Sequence, residues 1–379
     1  MLQSLIRGGL LDRETRVTKI IKSLSDHGYE VILLCWDQGY CPSPRSERSE
    51  AGTLYKEIQF KLKNKWGFSG YVILHSIWWI YVFFWLIVND WDIAHGVQIT
   101  CSVPAIIAGK IKRKPVIYDI LDVYEDSISP PRIIRDKLLA IDKLFMRMSS
   151  AIVLADEGEI EEVGGIPNSR VVTIYDSPFT TKKLDLFHRS NKDFILFFAG
   201  ILSKKKSLNL DKIFRAIEPL DGVKVIIAGY SDFFGSIIEE IKDWEMKLPN
   251  KIQFIGEISH AEVLERSAKA DALFVLRDSQ VLVNKYICGS KILESMMCGR
   301  PIIVNKGTST ARIVEKQNCG VIVDANNVEE IRNAISKLKA DRFFCDQLGN
   351  NGRIAYERFY SWDIMKDRLI SLYNNLLDQ

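Results

Sequence analysis

Short apolar runs recur along this chain, each separated from the next by a helix-length stretch, and three of those in its second half stop on a glycine. Runs of this kind read as strands buried on both faces of a parallel sheet, and the stretches between them suit crossover helices. In the first half the runs are Glu30 to Cys35, Asp92 to Gln98, Lys114 to Asp119 and Ala151 to Ala155. Helices are expected over Thr18 to Asp26, Val103 to Ile111 and Arg132 to Met148. Near Ser169 the pattern restarts with Arg170 to Tyr175, followed by Asp193 to Gly200, Val223 to Gly229, Ile252 to Gly256, Ala272 to Leu276, Pro301 to Val304 and Gly320 to Asp324. The alternation predicts an α/β chain of two doubly wound domains, over 1–176 and 177–379, with the polar stretch Asp176 to Asn191 as linker. At 379 residues the chain is long enough for both. A glycine at a strand's carboxyl end lets a ligand approach the backbone where open α/β sheets bind nucleotides, so the second domain is the expected nucleotide domain.

One segment breaks the pattern. Tyr71 to Val88 is free of formal charge and reaches the length at which a membrane span is considered. A true span would place the strands Glu30 to Cys35 and Asp92 to Gln98 on opposite sides of a bilayer, although they are expected neighbours in one sheet. Two readings remain: a helix packed in the core, and the favoured one, a helix inserted in or resting on a membrane. Lys56, Lys61, Lys63 and Lys65 precede it, five tryptophans lie in or beside it, and Lys110, Lys112, Arg113 and Lys114 follow, as suits an anionic headgroup layer.

Charge is nearly balanced, 51 Lys plus Arg against 48 Asp plus Glu, so there is no global electrostatic case for a nucleic acid partner. The seven cysteines are scattered without a C-x-x-C pair, which reads as a reducing cytoplasm rather than a disulfide or zinc framework. The first residues lack the apolar core and cleavage site of a secretory signal.

The stretch Tyr286 to Val304 carries the most chemistry. Gly289 and Ser290 mark a helix start, Gly299 its stop, and Pro301 opens a buried strand. Free N–H groups at Gly289 to Lys291 favour a phosphate, Lys291 adds a cation, and Glu294 is placed to accept from ribose hydroxyls. The alternative is a solvated helix with Glu294 exposed. After the strand ending at Gly200, Lys204, Lys205 and Lys206 form a basic turn suited to a diphosphate or simply to solvent. Asp90 and Asp92 have D-x-D spacing but precede a strand, away from the ligand edge, so no metal site is assigned.

Together these residues resemble the family 4 type of retaining glycosyltransferases with the GT-B fold (glycosyl transferases group 1). The matches are Gly200, Leu202, Ser203 and Lys206, then Lys291, Glu294, Gly299 and Pro301; Glu14 to Val17, Tyr118 to Asp122, Ile174 to Asp176 and Asn351 to Trp362 follow the family's landmarks in order. The resemblance implies two Rossmann-like domains facing a central cleft, with the last helix packing back toward the first domain. A nucleoside diphosphate-sugar would be held by the second domain through Gly200, Lys205, Lys206, Gly229, Tyr286, Gly289, Ser290, Lys291 and Glu294. The acceptor would be held by the first, with Gly8, Gly9, Arg16 and His95 on its side. No cofactor and no obligatory metal are implied. The usual arginine after the first glycine is Ile201, with Lys204 or Lys205 as its replacement; the first acid of the family's carboxylate pair falls at Tyr286, a common histidine at Leu121, and a common asparagine at Asp176.

In such a transfer a cation, here Lys206, stabilises the departing phosphate, which itself takes the acceptor's proton. If a side chain acts as base, Asp122 or Asp119 at a strand's carboxyl end is the candidate, with His95 behind them. Asp119 as a turn cap and His95 as a satisfied core histidine are the structural alternatives. The expected function is transfer of a sugar to a glycan or polyprenyl-linked acceptor in cell-surface polysaccharide or glycoconjugate synthesis, by a cytoplasmic protein peripheral to the inner face of the cell membrane. A catalytically silent GT-B partner protein and a nucleotide-sugar epimerase are the alternatives.

Overall fold

The computed structural model describes residues 2–3, 16–37, 47–50, 53–61, 67–121, 132–168, 170–179, 192–204, 208–231 and 235–378. The chain divides into two compact units, Met1–Asp176 with Met365–Gln379, and Ser177–Ile364.

In chain order the first unit contains β1 (Leu2–Gln3), α1 (Arg16–Asp26), β2 (Val31–Asp37), β3 (Glu47–Glu50), β4 (Thr53–Lys61), α2 (Gly67–Val88), β5 (Ala94–Val97), α3 (Ile99–Lys112), β6 (Val116–Ile120), α4 (Arg132–Met148), β7 (Ala151–Leu154), α5 (Gly158–Glu162) and β8 (Val171–Thr173). Its strands form one sheet in the order β3-β4-β2-β1-β5-β6-β7-β8, parallel throughout except for the β3–β4 pair. The order reverses between β1 and β5. Two details depart from the sequence reading. The β3–β4 hairpin lacks a strong apolar run and was not expected, and it puts Lys56 and Lys61 on β4, next to the edge strand β3, rather than in a flank of α2. The run Arg170 to Tyr175 pairs with β7 and so completes the first sheet instead of opening the second.

Helix α2 lays one face on this sheet. Leu74, Trp78, Val82 and Leu86, spaced by one helical turn, are buried with Leu34, Trp36, Tyr118 and Ile152. Trp78 stacks on Trp36 at 6.4 Å between ring centroids. The opposite face carries Ile73, Ile77, Ile80, Phe84 and Val88, all exposed. Trp79 Nε1 donates to the Thr100 carbonyl at 2.8 Å, and the Lys112 ammonium donates to the carbonyls of Leu86, Ile87 and Asn89, capping α2. These contacts run α3 alongside α2 in the same direction. Among the described residues no helix is long and apolar enough to cross a membrane.

The second unit contains β9 (Phe194–Ile201), α6 (Leu210–Ile217), β10 (Val223–Tyr230), α7 (Ile238–Lys247), β11 (Ile252–Phe254), α8 (His260–Lys269), β12 (Ala272–Val275), α9 (Leu282–Tyr286), α10 (Ser290–Met297), β13 (Ile302–Asn305), α11 (Ser309–Gln317), β14 (Gly320–Val323), α12 (Val328–Ala340) and α13 (Arg342–Ala355); α14 (Trp362–Leu377) ends in the first unit. Its sheet, β11-β10-β9-β12-β13-β14, is wholly parallel. Both faces of β9 are apolar: Phe194, Leu196 and Phe198 enter the main core, Phe197 and Ala199 a smaller one opposite. The strand order reverses between β9 and β12, which makes their carboxyl ends the place for a ligand.

The two faces of α2 give a direct check. Trp78→Ala should cost about 3–5 kcal/mol in chemical denaturation, whereas Phe84→Ser on the exposed face should stay within about 0.5 kcal/mol. Equal costs would mean that α2 is not seated on the sheet through Trp78.

Candidate functional site

At the β9–β12 reversal the backbone itself makes room. Gly200 and Gly229 lie directly opposite in the β9–β10 pair, and a Cβ on Gly229 would fall 1.9 Å from the Gly200 carbonyl oxygen. A Cβ on Gly200 would fall 2.9 Å from Lys291 Cε and 3.5 Å from Lys291 Nζ. The bare backbone of β9 therefore seats the Lys291 ammonium at the sheet's carboxyl edge.

Lys291 comes from the first turn of α10, whose N-cap is Gly289. A Cβ on Gly289 would lie 3.4 Å from both terminal nitrogens of Arg277, so this guanidinium rests against the start of α10. Arg277 follows β12, and its place is fixed by amides: Asn209 donates to the Leu276 carbonyl at 2.7 Å and Asn305 to the Arg277 carbonyl at 2.8 Å. Two cations and the positive end of α10 thus meet at one edge.

Glu294, one turn into α10, is buried, with 6% of its side chain exposed, which excludes the solvated-helix alternative. Its Oε1 lies 4.0 Å from Lys291 Nζ and 3.9 Å from His260 Nε2. Burial, and then the Glu294 charge, push the Cys298 thiol up to about 12, so Cys298 is a protonated core thiol donating to the Leu264 carbonyl. Gly299, with φ +60°, ends the helix and leads into β13.

Gly200, Gly229, Gly289, Ser290, Lys291 and Glu294 are brought together at this edge. Tyr286 ends α9, where its hydroxyl accepts from Lys285 at 2.9 Å. Lys204 forms an exposed pair with Glu240 at 3.4 Å. Lys205 and Lys206 lie outside the described residues, as do Gly8, Gly9 and Asp122. Arg277 was missed from sequence, because a single arginine after an apolar run looks like an ordinary strand end.

In the first unit Arg16, His95 and Asp119 form one buried network. Asp119, fully buried on β6, pairs with Arg16 through one oxygen and with His95 Nε2 at 3.0 Å through the other. His95 Nδ1 meets the Tyr373 hydroxyl of α14 at 2.7 Å. A carboxylate beside a guanidinium only accepts, so His95 Nε2 donates to it, and in the neutral ring Nδ1 then accepts from Tyr373. Burial first, and the Asp119 charge second, push the Tyr373 phenol well up, which keeps it a donor. His95 is thus a satisfied core histidine, and Asp119 is a buried ion-pair partner instead of a turn cap. Among the described residues no group of three or more His, Cys, Asp or Glu is arranged to hold a metal ion.

Asp119→Ala, which leaves the Arg16 charge buried without its partner, should cost about 3–5 kcal/mol, and Tyr373→Phe about 1 kcal/mol. Urea denaturation measures both; comparable small losses would contradict a network centred on Asp119. Because the folded phenol's pKa lies above the ordinary value of 10.0, the Tyr373 contribution should be complete below that pH and fall as pH rises past it.

Residues 180–355 match the family model for glycosyl transferases group 1. Sucrose-phosphate synthase 1 of Arabidopsis thaliana is 25% identical over 214 residues, 54% of this chain and 20% of that protein. An uncharacterized glycosyltransferase of Methanocaldococcus jannaschii is 22% identical over 213 residues, 55% of each chain. The chain thus matches about half or less of these relatives' length. Among solved structures, sucrose-phosphate synthase from Thermosynechococcus elongatus superposes with TM-score 0.71 at 15% identity, covering 96% of this chain and 92% of that one. Anabaena HepE in complex with UDP superposes with TM-score 0.70 at 15% identity over 99% of both chains. The chain therefore has the GT-B fold, and its residues 180–355 match the family model for glycosyl transferases group 1.

Proposed function

We propose that the protein is a retaining, metal-independent glycosyltransferase that moves a sugar from a nucleoside diphosphate-sugar to a glycan or lipid-linked acceptor in cell-surface glycan synthesis. The observation that carries this reading is the meeting of Lys291, Arg277 and the start of α10 over the bare Gly200 backbone, with Glu294 one turn behind. Anabaena HepE has been solved with UDP-glucose, so a uridine diphosphate-sugar is the first donor to test.

In this reading the diphosphate faces Lys291 and Arg277, with Lys206 as a further cation, and Glu294 accepts from the ribose hydroxyls. Arg277 supplies the positive charge that Ile201 lacks. The bond between the anomeric carbon and the leaving phosphate breaks as the acceptor oxygen attacks the same face, and the acceptor's proton passes to that phosphate. Fixed cations stabilise the charge that develops there. Asp119, with both oxygens engaged, serves as a positioning residue for the first unit, which leaves Asp122 as the side chain to test as base.

The exposed face of α2 supports a membrane-resting role at the inner face of the cell membrane. Ile80, Phe84 and Val88 on α2 are exposed, as are Ile107, Ile111, Lys110 and Arg113 on or just after the neighbouring α3. Apolar side chains rimmed by cations suit an anionic lipid surface.

UDP should raise the melting temperature of the protein, and Lys291→Ala, Arg277→Ala and Glu294→Gln should each weaken UDP binding by roughly tenfold or more. Wild-type affinity in all three would overturn this donor site. For the exposed face of α2 in the first unit the readout is separate: Ile80→Ser with Phe84→Ser should abolish cosedimentation with vesicles containing phosphatidylglycerol, and unchanged cosedimentation would exclude α2 as the contact.

A further inference from the structure

The first unit also holds a cavity of about 410 Å³ at the opposite edge of its sheet, where β2 and β5 begin. Ligands of open α/β sheets bind at the carboxyl edge. The seven residues of β2 separate the two edges by about 20 Å, so this cavity is not part of that edge. Its volume lies in the range of roughly 300–1,000 Å³ common for small-molecule sites. Trp85, Trp91 and Tyr29 contribute to its walls, Glu30, Asp90 and Asp92 contribute carboxylates, and its remaining lining is largely aliphatic.

The polar groups here narrow the ligand's chemistry. Trp91 Nε1 donates to the Leu86 carbonyl at 2.8 Å, so its indole has only its ring surface left to offer. Two ammonium groups already lie by that ring, Lys112 at 6.0 Å and Lys114 at 5.7 Å from its centroid, where an incoming cation would otherwise sit. Lys112 is spent on the carbonyls that end α2, and Lys114 pairs with Asp90 at 2.6 Å. Among the described residues Glu30 and Asp92 make no ion pair, and both are exposed. Asp378 adds negative charge beside Tyr29, whose phenol is pushed up by burial and then by that charge. An anion meets carboxylates, and a cation finds the Trp91 ring already flanked by the Lys112 and Lys114 ammonium groups. A neutral polyol meets neither obstacle: its C–H face packs on indole and its hydroxyls donate to Glu30 and Asp92.

We propose that this cavity is a saccharide-binding site, separate from the donor site and specific for uncharged sugar units. It would hold a glycan away from the reacting end. This assignment does not rest on the donor chemistry of the second unit.

The test is calorimetric titration of the full chain with maltotetraose, cellotetraose and N-acetylated chitotetraose, with spermidine as the cationic competitor. At least one saccharide should bind the wild-type protein, and spermidine should not displace it. Glu30→Gln with Asp92→Asn, which keeps shape while removing charge, should weaken binding about tenfold. Trp85→Leu should do the same, and UDP stabilisation, where present, should be unchanged in both variants. Absence of binding by all three saccharides, wild-type affinity in the carboxamide variant, or displacement by spermidine would each overturn the proposal.

Discussion

The arrangement of the second unit depends on a missing side chain. At residue 200 the strand β9 runs bare past its neighbour, and the space a Cβ would fill is taken by the end of Lys291. Sequence-distant elements are locked by that single vacancy. The side chain of Lys291 fixes where α10 begins, Gly289 lets Arg277 rest against the same turn, and Glu294 then falls one turn inward beside His260. Hydrogen bonds from Asn209 and Asn305 hold the strand end that carries Arg277, so the cation is placed by backbone contacts and not by solvent-facing chance. A site built this way costs little reorganisation when charge appears on a ligand, which is what electrostatic stabilisation of a leaving phosphate requires.

The first unit is held by the opposite device, a charge removed from water and fully partnered. Arg16 of α1, Asp119 of β6, His95 of β5 and Tyr373 of α14 form a continuous chain of polar contacts in the interior. Buried ion pairs are weak evidence of net stability, but breaking one is costly. The network therefore ties the last helix to the first sheet. Tyr29, which packs edge-on against Tyr373 at 5.6 Å and donates to Asn374, extends that tie to the surface.

Much of this was legible from the chain. The parallel strands announced themselves as apolar runs because both faces of each sheet are covered, and the stops at Gly200 and Gly229 fall at the carboxyl ends of β9 and β10. The helix from Ser290 to Met297 was readable from its flanking glycines and proline. What stayed hidden was of two physical kinds. Local signals were weak where one strand lies at an edge: β3 and β4 carry charged residues and no long apolar run. Contacts between sequence-distant residues were invisible: nothing near His95 indicates a tyrosine 278 positions later, and nothing near Arg277 indicates that Gly289 lies beneath it. The aromatic stretch was ambiguous for a related reason. Its composition is apolar all round, so periodicity does not separate the buried Trp78 face from the exposed Phe84 face; only packing on Trp36 does.

The proposed function places the diphosphate of a nucleotide-sugar over Gly200, between Lys291 and Arg277. A crystal structure of the protein grown with UDP measures this directly. Phosphate oxygens are expected within hydrogen-bonding distance of Lys291 Nζ and the Arg277 guanidinium, with the ribose hydroxyls on Glu294. A nucleotide bound elsewhere, or with its diphosphate turned away from both cations, would contradict it.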